Sequence, residues 1–355
     1  MKKEGKVGVK MRYLPLDEIT EDMCLARPIF SGDGRILLSN GVKLTEKYLA
    51  RLKEMGYQNL YVYRDGEEVN DFSTPISDQT MREAIQGVKD AFGKAALRQR
   101  LNTRNVSEIV GYILEEILTN PTVLYNLMDI KNHGNYYYHH SINVCVISTL
   151  IAKEMGFSRD KLKDLATGAL LHDLGMVCVD PKILTQPRPL SEEETAAVRE
   201  HTNYGFQLLR MERDLSILVA HTAWQHHERM DGSGYPKGLV GDGIHLFGRI
   251  VAVADSYETM TSGRVYKKAM WSHEAIRQLK ESAPEKYDPE VVAAMSRSVA
   301  SYPVGSVVVL NTHEQAVVVD VNARKITIQF ATGPRVNALM ELEPDSDVKI
   351  EERLS

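Results

Sequence analysis

The chain has 355 residues and a formal net charge of -5, with charged residues making up 26% of it. This length favours two or three domains over a single core. The negative balance argues against wholesale binding to DNA, RNA or acidic membranes, because such binding favours concentrated positive charge. The three cysteines are scattered without a C-x-x-C spacing, so neither a disulfide framework nor a zinc knuckle is indicated. No apolar run is long enough to cross a bilayer, and we therefore expect a cytoplasmic protein.

The first part of the chain predicts a small α/β domain. Thr45 is placed to cap a helix that ends near Gly56, and Asn59–Tyr63 has the composition of a strand. The polar stretch that follows contains Pro75 and predicts a linker. We assign residues 1–70 to a small N-terminal α/β regulatory domain.

Beyond the linker, apolar residues recur at helical spacing almost without interruption. In one segment they lie on a single helix face, at Ile109, Val110, Ile113, Leu114 and Ile117. Ser191 and Glu194 have capping-box spacing at the start of the helix predicted to carry His201 in its middle. These patterns predict an all-helical domain over residues 79–302.

After Tyr302 the apolar pattern changes to that of strands. Three β-branched runs are separated by turn residues, and they cover Ser306–Leu310, Ala316–Asp320 and Lys325–Phe330. They predict a small β module over residues 303–355. The expected fold class is multi-domain and mainly α, with a helical core, a small N-terminal α/β domain and a small C-terminal β module.

Several imidazoles and carboxylates of the helical region lie where a polar side chain needs a partner. His226 and His227 are adjacent at a predicted helix end, where they would repel each other if protonated, and metal ligation keeps histidines neutral. Asp255 lies in an apolar helix, where a carboxylate is costly without a cation. With the neighbouring His172 and Asp173, they form a donor set without thiolates, which suits hard or borderline divalent ions.

The candidate metal ligands are His140, His172, Asp173, His201, His226, His227 and Asp255. Taken alone, an Asp and a His near a helix end are typical of caps, and His201 is typical of a half-buried histidine. Together, seven groups are enough for two ions if Asp173 bridges them. Two ions acidify a water between them and stabilise the oxygens that attack and leave phosphorus. The set predicts hydrolysis of a phosphodiester or phosphate ester, with His172 and Asp173 as the catalytic pair.

These ligands, followed by the run Gly234-Tyr235-Pro236, resemble in their order the HD-GYP family of cyclic di-GMP phosphodiesterases over roughly residues 104–300. The resemblance implies an all-helical HD fold and two divalent ions of iron or manganese type. It implies hydrolysis of the bacterial second messenger cyclic di-GMP to linear pGpG, GMP or both. It further implies that Gly234, Tyr235 and Pro236 shape the substrate pocket or a surface for a signalling protein. A homodimer is the other protein assembly considered.

In the same family, the positions of Arg264 and Lys267 contact substrate phosphates. The two residues would lie one turn apart on a helix, where a guanidinium fork and an ammonium could hold one phosphate. The competing interpretation is a solvated basic surface.

The sequence departs from the family pattern at three positions. Met176 stands where the usual His-Asp-x-Gly-Lys run ends in lysine. Tyr136 stands where members that bind a third metal have glutamate, so two ions are expected. Glu258 takes a place often held by aspartate.

Two other function classes stay open at this point. The missing lysine at Met176 favours a sensor that binds a cyclic dinucleotide without cutting it. A nucleotide phosphohydrolase of the wider HD superfamily would explain the metal ligands but not the run from His226 to Pro236.

Overall fold

The computed structural model describes residues 11–31, 35–66, 75–119, 136–184, 186, 188–262, 269–283, 285–322, 325–343 and 346–353. Within these residues, a mainly helical core is flanked by strand-containing regions at both ends of the chain. None of the described helices combines the length and the apolar character that a bilayer crossing requires.

The N-terminal region contains short strands and one helix: β1 (Arg12–Pro15), β2 (Met23–Leu25), β3 (Ile29–Phe30), β4 (Ile36–Leu38), α1 (Glu46–Glu54) and β5 (Asn59–Arg64). β5 pairs antiparallel with both β1 and β2, and β3 pairs with β4. The side chain of Thr45 accepts a hydrogen bond from the amide of Tyr48, which caps α1 as the sequence predicted. Most of the predicted linker falls on residues 67–74, which lie outside the described residues.

The helical region comprises α2 (Asp78–Ala96), α3 (Thr103–Thr119), α4 (Tyr136–Glu154), α5 (Arg159–Leu170), α6 (Pro181–Leu184), α7 (Glu192–Arg199), α8 (His201–Leu209), α9 (Ile217–Gln225), α10 (Leu246–Thr261), α11 (Ser272–Ser282) and α12 (Pro289–Ser298). From His139 to Ala152, every residue of α4 is buried. A helix that is buried on all sides lies at the centre of a core. α4 packs against α5, α10 and α12, and it therefore carries His140 into the interior.

Glycines allow the helices around the ligands to approach closely. A Cβ added at Gly175 would lie 1.9 Å from the carbonyl oxygen of His201, and one at Gly168 would lie 2.8 Å from Cβ of Thr222. Real Cβ atoms do not tolerate such separations, so a side chain at either position would push α8 or α9 away. The glycines hold these helices against the segment that carries His172 and Asp173.

The prediction that one helix runs from Ser191 through His201 was wrong. The capping box of Ser191 and Glu194 is present, but α7 ends at Arg199 and His201 is the first residue of α8. The carbonyl oxygen of Val198 accepts a hydrogen bond from Nδ1 of His201, and that of Arg199 accepts one from the Thr202 hydroxyl. Because side chains bond these carbonyl oxygens, the backbone hydrogen bonds of the helix are interrupted next to the candidate ligand His201.

The C-terminal region is an antiparallel sheet of β6 (Val307–Leu310), β7 (Gln315–Val321), β8 (Ile326–Phe330), β9 (Leu339–Leu342) and β10 (Ile350–Arg353). Its spatial order is β10-β6-β7-β8-β9. The first three strands match the predicted runs. β9 and β10 were not predicted, because they are short and largely exposed and have no β-branched run.

The two flanking regions meet each other and the helical region around Trp271. The guanidinium of Arg353 lies 3.8 Å from the ring centroid of Trp271 and 5.5 Å from that of Tyr13. The amide of Tyr13 also donates to the carbonyl oxygen of Gly305 at 3.1 Å. Arg353 is only 6% exposed, so its cation is enclosed between rings from two other parts of the chain.

Candidate metal centre

Asp173 lies between two groups of imidazoles. Its Oδ1 atom is 3.3 Å from Nε2 of His201 and 3.6 Å from Nε2 of His226, whereas its Oδ2 atom is 3.7 Å from Nε2 of His140. Oδ2 also lies 3.6 Å from Nε2 of His172. The two oxygens of one carboxylate therefore face different histidines, which is the arrangement of a bridging ligand.

The seven predicted ligands converge in two clusters. Within each cluster one donor atom per residue lies within 4.8 Å of the others, and the clusters are Asp173 with His201, His226 and His227, and His140 with His172 and Asp255. Asp255 also reaches toward both clusters, with Oδ1 3.2 Å from Nε2 of His140 and Oδ2 4.0 Å from Nδ1 of His227. Folding thus brings together donors that are more than one hundred residues apart in the chain.

Three of the histidines are oriented in the same way. Nδ1 of His172, His201 and His226 lies 2.7 to 2.9 Å from the carbonyl oxygen three residues earlier, which belongs to Ala169, Val198 and Ala223 respectively. A carbonyl only accepts, so each Nδ1 carries the proton. In a neutral imidazole, Nε2 is then an unprotonated lone pair, and all three lone pairs point toward Asp173.

The orientation of these three imidazoles is the one that a bound metal ion requires. Nε2 of His201 lies 3.3 Å from Nε2 of His226, yet neither atom has a proton to donate once both Nδ1 atoms are protonated. Nε2 of His172 is completely buried and has no hydrogen-bond partner among the residues that the structure describes. Converging buried lone pairs beside carboxylates are costly without a cation and are satisfied by one. The donor set therefore fits divalent ions.

A carboxylate from α10 orients His140. Nδ1 of His140 lies 2.6 Å from Oε2 of Glu258, which is 2% exposed, and Nε2 faces Asp255 on the other side of the ring. The amide of Asn143 and the hydroxyl of Ser262 also donate to Glu258. A carboxylate that holds the second nitrogen of a ligating histidine fixes the tautomer and raises the basicity of the ligand.

Burial and charge keep the candidate ligands in the protonation states that metal binding needs. Burial lowers the pKa of His172 to about 4, so this imidazole is neutral near pH 7. Burial also lowers the pKa of His201 and His227. Burial alone would raise the pKa of Asp173, but the nearby imidazoles, His172 first, outweigh it and hold the carboxylate ionised.

The run from His226 to Pro236 forms a loop that is held by Glu228. The buried carboxylate of Glu228 accepts the amides of Lys237 at 2.7 Å and Leu239 at 2.9 Å. Gly234 packs so tightly that a Cβ there would lie 2.5 Å from the carbonyl oxygen of His227. The Tyr235 ring consequently stacks on His227, with centroids 4.6 Å apart. Burial raises the pKa of the Tyr235 hydroxyl, which therefore stays protonated.

The remaining predicted residues have different outcomes. Arg264 and Lys267 lie outside the described residues, and so does the side chain of Tyr136. His221 packs against Phe206, with centroids 5.4 Å apart, and belongs to neither cluster of donors.

Sequence reasoning assigned no role to Glu258 or Glu228. The available signal for Glu258 was its place three residues after Asp255, on the same helix face. Glu228 lies within the run from His226 to Pro236. The amides from which it accepts hydrogen bonds are nine and eleven residues further along the chain, and only the fold shows this contact.

Comparisons with known proteins identify the family and several relatives of this chain. The HD domain family matches residues 122–291. A cyclic di-GMP phosphodiesterase of Pseudomonas aeruginosa is 35% identical over 243 residues, which cover 68% of this chain and 58% of that protein. The 3'3'-cGAMP-specific phosphodiesterase 3 of Vibrio cholerae is 37% identical over 164 residues, which cover 46% of this chain and 35% of that protein. The chain thus spans little more than half of the first relative and about a third of the second.

A solved structure shares the fold. The HDG"Y"P protein of Bdellovibrio bacteriovorus superposes with a TM-score of 0.53 over 80% of this chain and 98% of that one, at 19% identity. The chain belongs to the HD-domain family. Within that family, the order of its candidate ligands and the Gly234-Tyr235-Pro236 run match the pattern of the HD-GYP group.

Proposed function

We propose that this chain is a metal-dependent phosphodiesterase that hydrolyses cyclic di-GMP to linear pGpG, GMP or both. The observation that carries the proposal is the position of Asp173, whose two oxygens face two separate groups of imidazoles. A shared carboxylate of this kind suits a pair of divalent ions acting on a phosphodiester. The relatives named as cyclic dinucleotide phosphodiesterases support the substrate class.

The proposed centre holds two ions of iron or manganese type. Asp173, His201, His226 and His227 would hold one ion, and His140, His172 and Asp255 would hold the other, with Asp173 shared. Such ions supply Lewis acidity toward phosphoryl oxygens and lower the pKa of bound water. His172 and Asp173 are the proposed catalytic pair, because they belong to different clusters and are adjacent in the chain.

The protein's own residues prepare the site for this chemistry. Backbone carbonyls and Glu258 keep the protons of four imidazoles on the side away from the centre. The buried helices around His140 and His172 exclude bulk water, which strengthens electrostatic interactions there. Tyr235 stays neutral and covers one face of His227.

The proposed substrate contacts lie beside this centre. Arg264 and Lys267 would bind substrate phosphates, on the strength of the sequence resemblance alone. Gly234, Tyr235 and Pro236 would shape the pocket wall, since Gly234 and Tyr235 pack directly on His227.

A sensor that binds the dinucleotide without cutting it is the second candidate function. It is favoured by Met176, which contributes no charge where the family pattern has lysine. Met176 is half-buried, and its amide is bonded to the carbonyl oxygen of Asp173. A slower enzyme and a binding-only receptor therefore share the same site and differ only in turnover.

Product analysis separates the two candidates. The chain is purified without oxygen, its metal content is measured, and it is incubated with Mn²⁺ or Fe²⁺ and cyclic di-GMP, 3'3'-cGAMP or a dNTP. Release of pGpG or GMP that disappears with chelator and in His172→Ala supports the enzyme. Binding without product over hours supports the sensor, and turnover of dNTPs alone would overturn both.

We further propose a division of the chain into an N-terminal α/β domain over residues 1–70, a catalytic helical domain over residues 79–302 and a β module over residues 303–355. Separate apolar cores in the three regions support it, the first around Leu44, the second around Ile147 and the third around Val318.

A further inference from the structure

Arg199 is a cation near the candidate metal centre, and it has no role in the proposed function. It is the last residue of α7 and lies two positions before the candidate ligand His201. Its guanidinium carbon lies 5.0 Å from the ring centroid of Tyr235. The same ring stacks on the candidate ligand His227, with centroids 4.6 Å apart.

The backbone on both sides of this contact is fixed. The carbonyl oxygen of Arg199 accepts the Thr202 hydroxyl at 3.0 Å, directly beside the bond between Val198 and His201. The amide of Tyr235 donates to the carbonyl oxygen of His227 at 3.2 Å. The arginine and the ring that supports it are therefore attached to the same elements as the candidate ligands.

The guanidinium has donors to spare. Arg199 is exposed, and among the described residues no carboxylate lies within ion-pair distance of it. The neighbouring Glu200 accepts a hydrogen bond from Asn203 at 2.9 Å. An arginine has five N–H donors in the plane of its guanidinium, where they can form a fork toward an oxyanion.

We propose that Arg199 binds a phosphate oxygen of the substrate, with Tyr235 holding the guanidinium plane in position. This inference rests on the proposed function, since it names a further substrate-binding residue for the same site. A phosphate is the fitting ligand because its oxygens match the guanidinium fork and carry the negative charge that Arg199 lacks as a partner. A phosphate at the metal centre is also common to every cyclic dinucleotide, so the contact is independent of the base.

The test uses Arg199→Met, which keeps an unbranched apolar side chain against Tyr235 but removes every donor. Arg210→Met is the matched control. Arg210 is also exposed and lies at the end of α8 away from His201, with its guanidinium carbon 5.6 Å from the ring centroid of Phe206. Turnover and metal content are measured for cyclic di-GMP, 3'3'-cGAMP and cyclic di-AMP. If the wild type binds without cutting, Kd replaces KM as the measured quantity.

We expect Arg199→Met to raise KM or Kd by roughly 10- to 100-fold for all three dinucleotides, in line with the loss of a charge-assisted hydrogen bond. The metal content and the kcat should change little, and Arg199→Lys should restore part of the affinity. Arg210→Met should match the wild type.

Three results would overturn the inference. An unchanged Arg199→Met enzyme would exclude the phosphate contact and leave the proposed function intact. A defect confined to guanine-containing dinucleotides would show that Arg199 recognises the base rather than phosphate. A wild type that neither binds nor cuts any cyclic dinucleotide would overturn the proposed function, and the role of Arg199 with it.

Discussion

Oε2 of Glu258 lies 2.6 Å from Nδ1 of His140, and the opposite nitrogen of that ring faces Asp255. The bond crosses from α4 to α10 inside the core. It orients a candidate metal ligand through a residue that belongs to neither cluster of donors, in the manner of the carboxylate–histidine–metal arrangements of other proteins.

Glu258→Gln tests this arrangement with almost no change in volume. Glutamine has only one acceptor oxygen, so it can accept from Nδ1 of His140 or from the Asn143 amide but not from both, and it removes the negative charge that raises the basicity of His140. We expect metal affinity to fall about 10- to 100-fold, as is usual when such a partner is lost. Titration of the metal-free protein with Mn²⁺ measures it, with Glu281→Gln, exposed on α11, as the control. Equal affinities for the two variants would contradict the assignment.

Asp173→Asn tests the shared carboxylate. Because Asp173 faces both clusters of donors, its loss should deplete both ions, whereas loss of a ligand to one ion should affect mainly that ion. We expect kcat/KM to fall by at least about 1000-fold, or ~4 kcal/mol of transition-state stabilisation. Elemental analysis and product release measure the two effects. Asp160→Asn, at the exposed start of α5, is the control and should retain both ions.

Gly175→Ala tests the close approach of α8 to the ligand segment. The new methyl would lie 1.9 Å from the carbonyl oxygen of His201 and 2.5 Å from the amide nitrogen of Gly205, and both are backbone atoms. We expect the variant to lose several kcal/mol of stability, on the order of 3, and to bind metal weakly. Gly111→Ala is the matched control, because its Cβ would meet nothing within 4 Å in α3. Denaturant unfolding should show Gly111→Ala unchanged or more stable by about 0.5–1 kcal/mol.

His139 makes the stability of the metal-free protein depend on pH. Burial lowers the pKa of His139 from 6.5 to about 4, and within the described part of the chain neither of its ring nitrogens has a hydrogen-bond partner. Between these pH values His139 is protonated in the unfolded chain but neutral in the folded chain. The free energy of unfolding therefore falls as the pH drops from 6.5 toward 4. The loss amounts to about 3 kcal/mol for this group.

Denaturant unfolding with chelator present measures that dependence. His139→Leu should flatten the slope over this range by the contribution of one group, although His172 keeps a similar one. At pH 7.5 the variant should be at least as stable as the wild type, because it removes a buried N–H without a partner. Identical slopes for the two proteins would refute the explanation.

Arg353→Ala tests the junction of the three regions. The enclosed guanidinium contacts Trp271 and Tyr13, and a desolvated cation–π contact contributes about 2 kcal/mol. We expect a loss of about that size, together with a change in Trp271 fluorescence. Arg51→Ala, whose exposed ion pair with Glu54 contributes ~0.5 kcal/mol or less, is the control. A fully stable Arg353→Ala protein would exclude an energetic role for the junction.

Most of the helical core followed from apolar spacing, because a helix buries residues at a fixed period and the sequence of α3 shows that period plainly. The break before His201 did not, because it depends on side chains that take the carbonyls of Val198 and Arg199. The strands β9 and β10 also escaped prediction. Their sequences are short and contain no β-branched run, and pairing with neighbouring strands decides their structure.

The sequence alone determined the types of donor. They are imidazoles and carboxylates without thiolates, and they lie at positions where burial is costly without a partner. Three features were decided only by folding. They are which oxygen of Asp173 faces which histidine, the pairing of His140 with Glu258, which is 118 residues away, and the position of Arg199 over Tyr235. The physical reason is that residue type sets which atoms can bind a cation. The direction of each imidazole lone pair depends on a hydrogen bond to the opposite ring nitrogen. The packing of the helices then brings the donors of each cluster together.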